Sequence, residues 1–186
     1  MKRYIKSAVN SIKNEDLQTQ LDIAGDTNAP IDILMELANA SDPDVWERAR
    51  FTLRYIHIYS PEKIFSGDSE LRNDLALLSF DPDILSILAE DPDYNVRWTV
   101  GRSSYTPADV LDKLSSDTNY FVRGSVASNK DAPDYTLARL AHDDDITVRM
   151  HVARNRSTPK AVLRKLANDE DDDVRRYALE NKNYGD

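Results

Sequence analysis

A 26-residue period governs this chain from about residue 80 to its end. Val96-Arg97, Val122-Arg123, Val148-Arg149 and Val174-Arg175 recur at that interval. So do three more columns: Leu85, Leu111, Leu137 and Leu163; Leu88, Leu114, Leu140 and Leu166; and Asp91, Asp117, Asp143 and Asp169. Pro107, Pro133 and Pro159 keep the same register. Self-similarity at a period of about 20–50 residues marks a repeat architecture. Each unit has one apolar side and buries it only by stacking on its neighbours.

The unit reads as two short helices. Thr106-Pro107 and Thr158-Pro159 predict a capping hydroxyl before a proline at the first helical position, and Asp81-Pro82 predicts the same with a carboxylate. Apolar residues follow at helical spacing: Val110, Leu111 and Leu114, then Val162, Leu163 and Leu166. An acidic turn comes next, as at Asp91-Pro92-Asp93 and Asp169-Glu170-Asp171. Its carboxylates suit the positive N-terminus of a second helix. That helix is expected to bury Val96 with Val100, Val122 with Val126, Val148 with Val152, and Val174 with Ala178. Asn129, Asn155 and Asn181 stand where it must end, which predicts a left-handed cap. Ser103 departs from that pattern.

The expected organisation is one repeat domain over 1–186, with about six units and a half. An N-terminal helix and half-repeat cap occupy 1–26, where Tyr4, Ile5, Ala8, Val9 and Ile12 predict an amphipathic helix over 2–13. Ile23-Ala24 sits where Val152-Ala153 sits in a later unit. Repeat 1 spans 27–53, with Trp46 in the place of the usual Arg. Repeat 2, over 54–79, is degenerate: its first helix shrinks to Ile64-Phe65, and 54–66 should be the least regular stretch. Repeats 3 to 6 span 80–105, 106–131, 132–157 and 158–186, the last including a C-terminal cap.

The run Arg154-Asn155-Arg156-Ser157-Thr158-Pro159-Lys160-Ala161-Val162-Leu163-Arg164-Lys165-Leu166-Ala167-Asn168-Asp169, continuing to Val174-Arg175, resembles the leucine-rich repeat variant, a relative in style of the HEAT repeats. The resemblance is good over 80–183, fair over 27–53 and poor over 54–79. It implies an all-α, right-handed solenoid without β-sheet, in which α-helices alternate with shorter, 3₁₀-like segments. One architecture of that family carries a Cys-rich iron–sulfur module. This chain has no Cys, so neither that module nor thiolate chemistry or Cys-ligated zinc is available to it. The family implies no single activity.

Composition narrows the function classes. Lys and Arg number 24 against 33 Asp and Glu, a net charge of -9, which disfavours a default polyanion binder. No run approaches the roughly 18 apolar residues of a membrane span, and no signal-peptide core follows the basic start at Lys2, Arg3 and Lys6. A cytoplasmic protein without a membrane partner is expected. His57, His142 and His151 lack the helical spacing of a metal pair, and the Asp143-Asp144-Asp145 and 169–173 clusters lack the calcium-loop pattern. No phosphate loop or nucleophile elbow occurs. The expectation is no enzyme, no cofactor and no metal.

Two columns carry the candidate binding residues. Arg97, Arg123, Arg149 and Arg175 form either a stripe that grips anions or a structural ladder with the Asp column. Trp98 and Met150 occupy the variable position after Val-Arg, where other units have Gly124 and Arg176, and Arg102 and Arg154 lie one turn later. Trp, Met and Arg on one face have the makeup of an interaction hot spot. A Trp wedged between units is the alternative. The candidate partner-binding set is therefore Trp98, Arg102, Arg123, Arg149, Met150 and Arg154. The expected function is a non-catalytic scaffold, monomeric or weakly dimeric, that binds a polypeptide along one face. The alternative is nucleic-acid binding through the Arg column.

Overall fold

Why the period produces stacked helices is visible in a computed structural model that describes residues 15–26, 29–59 and 69–185. Those residues form thirteen helices and no strand. In chain order they are α1 (Leu17–Ala24), α2 (Ile31–Leu37), α3 (Pro43–Tyr59), α4 (Ser69–Leu78), α5 (Pro82–Leu88), α6 (Tyr94–Arg102), α7 (Ala108–Leu114), α8 (Tyr120–Ser128), α9 (Asp134–Leu140), α10 (Ile146–Arg154), α11 (Lys160–Leu166), α12 (Asp172–Glu180) and α13 (Lys182–Gly185). The expected helix over 2–13, the shortened helix at Ile64-Phe65 and most of the irregular stretch over 54–66 lie outside the described residues. None of the described helices is long and apolar enough to cross a membrane.

The chain divides into two compact units, Met1–Leu75 and Ala76–Asp186. In the first, α1 and α2 pack on α3. Its core is Ala24, Leu37, Ala38, Val45 and Ala49, with Leu21, Ile23 and Leu53 packed around it. Asp16 caps α1 by accepting from the Thr19 N–H at 2.9 Å. Helix α3 runs 17 residues, well beyond the nine of the second helices in the second unit.

The second unit holds the regular array. First helices of seven residues alternate with second helices of nine, both α-helical. Bonds of 3₁₀ spacing occur where the first helices end, as from Glu90 N to Ile87 O at 2.9 Å. Second helices α6, α8, α10 and α12 pack side by side in sequence order. Every Leu of the two Leu columns is buried, at 2% exposure or less. So are Val96, Val100, Val122, Val126, Val148, Val152, Val174 and Ala178. Burying one such side chain contributes about 1.5–3 kcal/mol, so the columns dominate the favourable side of folding. Helices α6 and α8 approach closely at Gly101, where a Cβ would meet the Ser125 hydroxyl.

Two local expectations are corrected. The Thr106 and Thr158 hydroxyls do not cap the helix that follows. They donate backwards, to Val100 O and Val152 O, each at 2.6 Å, and Pro107 and Pro159 occupy the N-cap itself. These carbonyls belong to the C-terminal turn of the preceding second helix, which has orphan acceptors to satisfy. The Asn column is not left-handed: Asn129, Asn155 and Asn181 are extended, with φ of -72°, -67° and -66°. Ser103 has the same backbone, φ -67° and ψ 133°. The Asp81 cap is as expected, accepting from Asp83 N at 2.9 Å with Pro82 at the first helical position.

Candidate functional site

The Arg column forms a ladder between units. The Arg97 guanidinium takes both carboxylate oxygens of Asp117, with Nε at 2.6 Å and Nη2 at 3.0 Å. Arg123 takes Asp143 at 2.6 and 2.8 Å, and Arg149 takes Asp169 at 2.9 and 3.1 Å. In each case Nη1 turns back to the acidic turn of its own unit, donating to Asp91 O, Asp117 O and Asp143 O. Each Asp also accepts from the N–H two residues on: Asp93, Asn119, Asp145 or Asp171. Those four residues cap the second helices. One guanidinium thus joins two turns, and one carboxylate holds its own turn while receiving the neighbour's Arg.

The charges reflect this. Burial pushes the Asp117, Asp143 and Asp169 carboxyls up. The bonds from Arg97, Arg123 and Arg149 and from the backbone outweigh it, and all three lie below the usual carboxylate value. The bonds to these carboxylates hold the three guanidiniums above their ordinary value despite burial. Arg175, in the last unit, bonds Asp169 O and pairs with Asp172. Of the predicted binding residues, Arg123 and Arg149 are therefore placed in this ladder.

The remaining four lie on the second helices, away from the ladder. Trp98 is half-buried on α6, with the Arg102 guanidinium 4.6 Å from its ring centroid. Met150 is half-buried on α10, and Arg154 is exposed, its guanidinium 5.0 Å from the Tyr177 ring. Trp98 and Arg102 line a groove of about 320 Å³ that Met150 and Arg154 do not reach. The groove runs over α8, between α6 and α10. Tyr120 and Phe121 form one end, and Gly124 is the floor. A Cβ at Gly124 would stand 3.3 Å from the His151 ring, so the missing side chain is what opens the space. The Tyr120 and Phe121 rings meet at 4.1 Å, tilted by 30°, Tyr94 adds a stacked ring 6.3 Å from Phe121, and all three are exposed.

His151 lines the groove from α10. Burial, with the Arg154 charge beside it, pushes its imidazole below the usual value, so it is neutral near pH 7. Sequence reasoning singled out Trp98 and Arg102 but missed Tyr120, Phe121 and His151. Their signal was present: positions 94 and 120 are both Tyr in one register, and Gly124 is the residue without a side chain in the variable column.

The structure is similar to that of a leucine-rich repeat variant with a novel repetitive motif, at TM-score 0.56 and 22% identity, covering 94% of this chain and 70% of that one. The fold is that of the leucine-rich repeat variant. An engineered protein is also similar, at TM-score 0.33 and 20% identity over 94% of this chain and 93% of that one. No protein-family model matches the chain, and no curated protein does. The Leu and Val columns form the buried interior of the second unit.

Proposed function

We propose that this chain is a non-catalytic, cytoplasmic scaffold that binds a polypeptide along the face carrying the second helices α6, α8, α10 and α12, acting as a monomer or weak dimer. One observation carries the reading. The exposed aromatic rings of Tyr94, Tyr120 and Phe121 gather around the groove beside Trp98, on a chain whose polar surface is otherwise rich in acids. Contiguous exposed apolar surface with a polar rim suits protein recognition. Aromatic and Arg anchors carry most of the energy in such interfaces. The Arg column gives no support to nucleic-acid binding, because three of its four guanidiniums are engaged by carboxylates and carbonyls.

The test is selection from a displayed library of random peptides against the full chain. We expect recovered peptides to bind the wild-type protein and to be lost from a Trp98→Ala, Phe121→Ala variant whose helical circular dichroism is unchanged. A library that yields only peptides indifferent to these substitutions counts against the reading.

A further inference from the structure

We propose, resting on the polypeptide-binding reading, that the groove over Gly124 takes an aromatic side chain of the bound segment and that Arg102 holds a carboxylate next to it. The groove's volume of about 320 Å³ is at the small end of ligand sites, which run from about 300 to 1,000 Å³. That space suits one large side chain. It lies open beside the exposed Tyr120 and Phe121, so a free small molecule would keep too much of its surface wet. A polymer does not have that difficulty, because its neighbouring residues continue onto Tyr94 on one side and Ile146 on the other, both exposed.

The order of groups along the groove selects the chemistry. At the N-terminal end of α8 stand the Tyr120 and Phe121 rings, which favour another ring in edge or offset contact. Gly124, one turn on, leaves room for that ring between Trp98 and His151. The C-terminal end is marked by Arg102, whose side chain makes no ion pair among the described residues and lies over the Trp98 face. A guanidinium over an indole face keeps N–H donors available for a carboxylate, which it receives with its planar fork. No Asp or Glu lines the groove, although the chain as a whole carries -9. Arg102 is thus the charged group that lines this aromatic groove on an acidic protein, and the complement of the groove is an acidic-aromatic peptide segment.

The test is fluorescence anisotropy of the full chain with dye-labelled Gly/Ser-rich peptides that carry a central Phe-Glu, Ala-Glu, Phe-Gln or Phe-Lys pair. The Phe-Glu peptide should bind at least about tenfold tighter than the Ala-Glu and Phe-Lys peptides, as expected for a hot-spot contact. Gly124→Leu should abolish binding by filling the floor. Arg102→Gln should erase the preference for Glu over Gln while keeping that for Phe over Ala. Should Gly124→Leu lose its helical signal, the exposed Arg102→Gln variant decides alone. Equal affinity for all four peptides, or an unchanged preference in Arg102→Gln, overturns the proposal. Library peptides that need Trp98 and Phe121 but lack an acidic-aromatic pair would overturn it while leaving the polypeptide reading standing. No face-dependent peptides at all would remove both.

Discussion

The Asn155 carboxamide donates to Asn129 O and to Ala127 O, both at 2.8 Å, and so ties the end of one second helix to the end of the one before. Asn129 makes the same pair of bonds to Gly101 O and Ser103 O, and Asn181 to Ala153 O and Asn155 O. With the Arg–Asp ladder at the N-terminal ends, neighbouring second helices are pinned at both ends and point the same way.

Asn155→Ala removes these two bonds and the one its Oδ1 accepts from the Ser157 N–H, and it takes from the buried Ala127 carbonyl its side-chain donor. We expect a loss of about 2–3 kcal/mol, from roughly 1 kcal/mol per net bond plus the desolvation left behind. Asn181→Ala, at the half-buried last position, should cost less. Urea denaturation of the two variants checks the order.

The guanidinium ladder should be the more costly to break. Arg149 and Asp169 side chains are each 8% exposed, so removing one partner strands the other charge away from water. Asp169→Ala or Arg149→Ala should cost about 3–5 kcal/mol. Glu90→Ala, which breaks only the exposed pair with Lys113, should cost less than about 1 kcal/mol. Thermal and urea unfolding compare them. Equal effects would show that the ladder is held no better than a surface pair.

Acid should destabilise the array in two stages. His151 has a lowered native value, so the unfolded chain takes up its proton first, and stability begins to fall as the pH drops through 6.5. The ladder carboxyls Asp117, Asp143 and Asp169 have native values below 3.8. Their contribution is complete above 3.8 and is lost as the pH falls through the native values. Melting temperatures measured from pH 7 downward should show a shallow shoulder and then a steep fall. His151→Gln should remove the shoulder alone.

Duplex and single-stranded DNA should not bind more tightly than about 10⁻⁴ M at physiological salt, the weak end of non-specific affinities. The net charge of -9 repels a polyanion, and Arg97, Arg123 and Arg149 are already paired. Anisotropy titration at two salt concentrations checks this. Micromolar binding that weakens steeply with salt would show that cations outside the ladder suffice for nucleic acid.

By itself the sequence determined the helical repeat and its interior. A column that returns every 26 residues must face the same neighbour in each unit, and apolar columns at helical spacing must face inward. Only the tertiary structure decided which copy of a repeated residue each partner meets. Arg123 has the Asp117 turn six residues behind it and Asp143 20 residues ahead, and periodicity treats the two alike. The offset between stacked helices directs its fork to the carboxylate ahead and its remaining donor to the carbonyl behind. The Asn column was legible as a helix end but not as a bridge, since the acceptors lie 26 and 28 residues back. The groove was the least legible part. It arises because Gly124 lacks a side chain at a place where three helices meet, and its walls stand in columns whose residue type changes from unit to unit.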